Sequence, residues 1–142
     1  DLMLDLAKQI VKDGEGCSKF ISINVRNANN KKDAMEISKK IANSVLFKTA
    51  MFGCDSNWGR IIMAIGKCSI KVPEKNISIS FGPNKIIRNG KICNLNEKTL
   101  KKYLLKKEIK LDIDLSSGKE CHEVWTTDLT NEYININSDY RS

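Results

Sequence analysis

Apolar positions recur along this chain with two periods, and together they predict most of its elements. Over 2–12, Leu2, Leu6 and Ile10 fall every four residues with Met3, Ala7 and Val11 beside them, the stripe of an amphipathic helix. Gly14 ends it. Ile21, Ile23 and Val25 then alternate with polar residues over 20–25, which predicts a strand. A polar loop is expected over 27–30. A second helix follows at about 32–44, with Ala34, Ile37, Ile41 and Val45 as its stripe and Lys31, Lys32, Lys39 and Lys40 in water. The short apolar run 47–52 reads as a strand. Asp55 or Asn57 is placed to cap a helix over 58–65, apolar nearly all round and ended by Gly66.

Beyond Pro73 the pattern turns to strands. Residues 77–81 alternate, and 85–88 and 91–93 flank Asn89-Gly90, a strong two-residue hairpin signal. A lysine-rich helix is expected over 96–107, burying Leu100, Tyr103 and Leu104. Residues 109–115 alternate most cleanly, and further strands are expected over 121–128 and 133–136. Helices, strands and hairpins intermix, which predicts an α+β fold: a mixed β-sheet with helices packed on it.

Composition narrows the class. A chain of 142 residues, 41% hydrophobic and 29% charged, suits one domain or one piece of a larger protein. No run of about 18 apolar residues exists, so no membrane partner is expected. The opening lacks the basic segment of a signal peptide and starts inside a helical pattern, which suggests a fragment or a processed chain. Five cysteines at wide, irregular gaps, with no CxxC and only His122 to assist, argue against zinc and fit a reducing cytoplasm. The net charge of +7 comes from lysines spread over the whole chain. No aromatic residues interleave on the basic face of 98–107, so base stacking on nucleic acid is not expected. A free-standing basic binding module with 98–107 as its contact face is the alternative reading.

Candidate chemistry concentrates at Asp13-Gly14-Glu15-Gly16. An acid between two glycines is presented by the backbone itself. Read locally, the stretch is a helix cap and turn; read chemically, Glu15 receives a cationic ligand. Trp58 and Arg60 read as a packed anchor with a structural ion pair, and His122 as a strand surface residue.

Several stretches resemble one family, the ornithine acetyltransferases (glutamate N-acetyltransferases) of arginine biosynthesis. Leu6-Ala7-Lys8-Gln9-Ile10-Val11-Lys12-Asp13-Gly14-Glu15-Gly16 stands where the family's mature β chain has its helix and Asp-Gly-Glu-Gly turn. Ile41-Ala42-Asn43-Ser44, Phe47-Lys48-Thr49-Ala50, Phe52-Gly53-Cys54-Asp55, Asn57-Trp58-Gly59-Arg60 and Ala64-Ile65-Gly66 follow in order. Trp125, Asp128-Leu129-Thr130 and the stretch from Tyr133 to Ser142 are similar to the family's C-terminus. Departures are small: Cys17-Ser18 replaces Ala-Thr, Val45 and Ser56 replace prolines, and Thr126-Thr127 replaces Gly-Cys.

The resemblance implies the C-terminal region of an autoprocessed two-chain acetyltransferase. Residues 1–16 would end a helix and form the Gly-Glu-Gly loop, continuing from an upstream segment. Residues 17–142 would form the C-terminal domain of the β chain, with the tail 137–142 reaching the active site. It implies ping-pong transfer of acetyl from N-acetylornithine to glutamate through an N-terminal threonine freed by self-cleavage, which this chain does not contain; alone, the chain should be inert. No metal or organic cofactor is implied, although some members take acetyl-CoA as donor. Glu15, Asn137 and the terminal Ser142 match the family's substrate-binding residues. The implied partners are the α chain and the upstream β segment, in a cytoplasmic hetero-oligomer.

Overall fold

The computed structural model describes residues 1–140. Its elements, in order, are α1 (Leu2–Lys12), β1 (Phe20–Ala28), α2 (Lys31–Ala42), α3 (Val45–Phe52), α4 (Trp58–Gly66), a 3-10 turn (Glu74–Asn76), β2 (Ser78–Phe81), β3 (Asn84–Arg88), β4 (Lys91–Ile92), α5 (Glu97–Leu104), β5 (Glu108–Asp114), β6 (Glu120–Thr127) and α6 (Asn131–Asp139). The six strands form one mixed sheet in the order β4-β3-β2-β5-β1-β6. Its centre is parallel, β1 beside β5, and every other pairing is antiparallel. This is the mixed α+β fold expected from the alternation.

Register decides the two faces. Ile21, Ile23 and Val25 lie opposite Ile109, Leu111 and Ile113, so the apolar sets of β1 and β5 share one face. All six are fully or almost fully buried. The buried faces of α2, α3, α4 and α5 join them in one cluster that includes Ile37, Ile41, Phe47, Ile61 and Leu104. The other face is polar and half-buried. There Arg26 binds Asp112 at 3.2 Å and Asp114 at 3.0 Å, and Trp125 Nε1 donates to Glu123 at 3.0 Å. α1 lies across one end of this face, with the Lys8 ammonium 5.3 Å from the Trp125 ring centroid.

The polar network carries a pH dependence. Burial pushes the Asp114 carboxyl up, but the Asn27 amide, the Ser116 N–H and the Arg26 guanidinium outweigh it and hold the group below the usual carboxylate range. A carboxyl lowered on folding stabilises the fold above its unfolded value of about 3.9, and that stability is lost as pH falls through the depressed folded value. Asp114→Asn should therefore flatten the acid limb of stability against pH, measured by urea denaturation from about pH 5 downward. An unchanged limb would show that the network does not hold the carboxylate.

Several local expectations are corrected. Residues 47–52 are helix, not strand. Ser44 caps α3, its Oγ accepting from Phe47 N at 3.2 Å, and Phe47, Ala50 and Met51 are buried at helical spacing. A six-residue apolar run fits both periods, and the cap decides between them. Residues 133–136 are also helix. Thr130 caps α6, accepting from Tyr133 N at 3.0 Å, and none of the helix's residues is buried, so the alternating isoleucines never meet a sheet. β1 runs on to Ala28, past the expected loop start, and Asn27 takes a positive φ of 57° within it. Gly66 is the last residue of α4 rather than its stop. α5 ends at Leu104, short of the expected 107.

Two side-chain readings also change. Among the described residues Arg60 makes no ion pair: its Nη1 donates to Leu46 O at 2.7 Å and Thr49 Oγ1 at 3.2 Å, tying α4 to α3. His122 is half-buried rather than on the surface, facing α2 with Nδ1 2.9 Å from Ser38 Oγ. Asn57, as anticipated, caps the next helix. The hairpin also forms as read, with Asn89 and Gly90 both at positive φ.

Candidate functional site

The helical pattern of α1 runs out at Asp13, whose N–H bonds Gln9 O at 2.8 Å, and the chain then turns through Gly14, Glu15 and Gly16. Gly16 sits at φ 75°, where glycine is at ease. It also passes very close to α6: a Cβ built on it would lie 2.6 Å from both N and Cα of Tyr133. The loop therefore rests on the first turn of α6. Glu15 stands exposed at its tip, with no hydrogen-bond or ion-pair partner among the described residues.

The following residues are stapled to the end of β6. The Asp128 carboxylate accepts from Ser18 N at 2.8 Å and Lys19 N at 3.0 Å, and also from the Ser18 hydroxyl. Thr130 Oγ1 donates to Gly16 O. Both residues are buried, at 2% and 5% exposure. Neither has a role in the sequence reading. A buried acid leaves no mark in hydrophobic periodicity; Thr130 did leave a helix-start signal, a capping hydroxyl two residues before Glu132.

Asn137 lies one turn beyond Tyr133 on α6, about 6 Å further along the axis. Its Nδ2 donates to Tyr133 O at 2.8 Å, which leaves the exposed amide oxygen free to accept. The structure thus brings the elements carrying Glu15 and Asn137 into contact, although no hydrogen bond joins the two side chains. Ser142 lies outside the described residues.

At the root of the same loop a cavity of about 440 Å³ is lined by Lys12, Cys17, Ser18, Lys19, Phe20, Lys107 and Glu108. Lys12 pairs with Glu108 and holds that carboxyl below its usual range. Burial, aided by the Asp128 charge, pushes the Cys17 thiol up, which keeps it protonated and a poor nucleophile at neutral pH. The Lys19 ammonium is buried, bonded to Met51 O and 3.0 Å from Cys54 Sγ. The five cysteines are all free thiols. Among the described residues no group of three or more His, Cys, Asp or Glu side chains is placed to hold a metal ion, and no helix is long and apolar enough to cross a membrane.

An acid on a glycine loop, without a partner among the described residues and braced against α6, presents an acceptor that suits a cationic or hydrogen-bond-donating head group. Comparison with known proteins gives the family. The chain belongs to the ArgJ family, which it matches over residues 1–142. It is 46% identical over 142 residues to the arginine biosynthesis bifunctional protein ArgJ of Zymomonas mobilis, covering 99% of this chain and 35% of that protein. It is 40% identical over 148 residues to the mitochondrial protein of that name in Schizosaccharomyces pombe, covering 33% of its length. A crystal structure of the Bacillus halodurans ArgJ protein superposes with a TM-score of 0.91 at 39% identity, over 96% of this chain and 64% of that one. The chain spans about a third of the length of these curated relatives.

Proposed function

We propose that the complete protein to which this chain belongs transfers acetyl from N-acetylornithine to glutamate in arginine biosynthesis, and that this chain supplies part of its substrate site. The observation that carries the reading is Glu15: an exposed carboxylate, unpaired among the described residues, between Gly14 and Gly16 on a loop that rests on α6 through Gly16, in a chain of the ArgJ family. Such a group accepts hydrogen bonds from a substrate ammonium without first giving up a partner. The Asn137 amide offers an acceptor from the adjoining helix, and we assign Ser142 to the same site by resemblance.

The chemistry would be acyl transfer in two steps. A threonine hydroxyl outside these 142 residues attacks the acetyl carbonyl, ornithine departs with its amine, and glutamate's amine then takes the acetyl from the threonine ester. Backbone donors, also outside this chain, would stabilise each tetrahedral oxyanion. Acetyl-CoA would serve as an alternative donor by the same exchange. This chain binds and orients; by itself it transfers nothing.

The partner reading follows from α1. Leu2, Leu6 and Ile10 are 73%, 44% and 75% exposed, an apolar stripe left largely uncovered by the described residues. We assign that stripe to the α chain and the remaining β segment of the same precursor. Five free thiols suit a reducing compartment, and we place the protein in the cytoplasm.

The test is acetyl transfer by the complete protein, native against Glu15→Ala. A hydrogen bond to a charged group contributes about 1.5–3 kcal/mol, so the variant should lose about ten- to a hundredfold in kcat/KM with self-cleavage intact. A cleaved, folded protein that transfers from no acetyl donor would sink the enzymatic reading and turn attention to the exposed lysines of α5.

A further inference from the structure

We propose that Asp128 and Thr130 are the positioning residues of the substrate site, together setting where Glu15 stands relative to α6. The inference rests on the reading of Glu15 given above and extends it to two buried residues beneath the loop.

The geometry is specific. One oxygen of Asp128 accepts from two successive backbone N–H groups, Ser18 at 2.8 Å and Lys19 at 3.0 Å, while the other takes the Ser18 hydroxyl. Two N–H groups converging on one atom fix the peptide plane between them, three residues after Glu15. The other end of the loop is held by α1 through Asp13 N to Gln9 O and Gly14 N to Val11 O. Glu15 is thus held from both sides.

The staple spends a buried acid on this one stretch of backbone. Asp128 is 2% exposed, and no basic side chain pairs with it among the described residues. The nearby Lys19 ammonium is directed elsewhere, to Met51 O and Cys54 Sγ. A buried carboxylate without a counter-ion is costly unless hydrogen bonds satisfy it fully. Here its hydrogen bonds all go to Ser18 and Lys19, one residue past the end of the Glu15 loop.

Thr130 adds the second coordinate. Its one hydroxyl donates to Gly16 O and accepts from Tyr133 N at 3.0 Å. The same atom therefore locates the loop carrying Glu15 and the first turn of the helix carrying Asn137. Any shift of α6 carries the loop with it.

The experiment is a double-mutant cycle in the complete protein: Glu15→Ala, Asp128→Ala and both together, with KM for N-acetylornithine, whose side chain carries an ammonium, and kcat read separately. Acting through Glu15, Asp128→Ala should raise KM at least about tenfold with kcat within about threefold. In the Glu15→Ala background it should change KM by less than about twofold, because the group it positions is gone. Asp128→Asn should recover most of the loss, since an amide oxygen can still accept both N–H groups. A full, additive effect in the Glu15→Ala background would overturn the proposal and leave Asp128 merely structural. Glu15→Ala with unchanged KM would remove the functional reading itself, and the proposal with it. An effect of Glu15→Ala with none for Asp128→Ala would overturn the positioning role alone. Should Asp128→Ala fail to fold, Thr130→Val against Thr130→Ser decides. Valine keeps the volume and loses both bonds, and should raise KM about tenfold, with serine within about threefold of native. Equal values for the two variants would overturn the proposal.

Discussion

Under the function proposed above, Gly16→Ala should lower acetyl transfer by the complete protein about a hundredfold while leaving the sheet folded. Two costs fall on one methyl group. Gly16 lies at φ 75°, and an L side chain in the left-handed region costs about 1–2 kcal/mol. The added Cβ would also stand 2.6 Å from Tyr133 N and Cα and 3.1 Å from Glu132 C. These are backbone atoms at the start of a helix, so no side chain can swing aside. Overpacking of this kind adds about 1–3 kcal/mol. The strain is relieved only if the loop lifts from α6 or α6 moves from the loop, and either motion separates Glu15 from Asn137. Steady-state transfer kinetics, with circular dichroism as the check on fold, measure the outcome. Transfer within about threefold of native would show that the seat of the loop on α6 is not needed for binding.

The second large effect concerns stability. Phe47→Ala should destabilise the 142-residue chain by about 3–5 kcal/mol, the range for emptying a buried phenylalanine site. Phe47 is 1% exposed and joins α3 to the cluster that covers the buried face of the sheet. Denaturant unfolding followed by the fluorescence of Trp58 and Trp125 reports it directly. A loss below about 1 kcal/mol would mean that α3 does not pack as described.

Phe47 also marks where the sequence was hard to read. Long elements with one clean period, α1, β1, β5 and the Asn89-Gly90 hairpin, were legible because burial of one face imposes that period. α3 was not, since six apolar residues satisfy a strand and a helix equally and the deciding Ser44 cap is a single residue. α6 was misread for the opposite reason. Tyr133, Ile134 and Ile136 alternate like a strand, yet no sheet edge receives them, and the Thr130 cap sets the backbone instead. Strand order was not legible at all: nothing local announces that β5 is inserted between β2 and β1. Of the site, Glu15 stood out because two glycines flank it. Asp128 did not, because its partners are backbone N–H groups 109 and 110 residues earlier in the chain.

The parallel pair at the centre of the sheet has a consequence for biosynthesis. Phe20 is paired with Glu108 and Arg26 with Asp114, so β1 waits for β5 to be made. At about 5–20 residues per second, a ribosome takes roughly 5–20 s to cover that interval. For that time the apolar residues of β1 have neither of their neighbouring strands, since β6 is later still. The β2–β3 hairpin and the helices can form meanwhile, but the nascent chain carries an open Ile-Ser-Ile-Asn-Val edge, the kind of segment that invites pairing with another chain. Synthesis of this domain is therefore expected to depend on chaperone shielding, and a message broken before Asp114 would yield a product prone to aggregate.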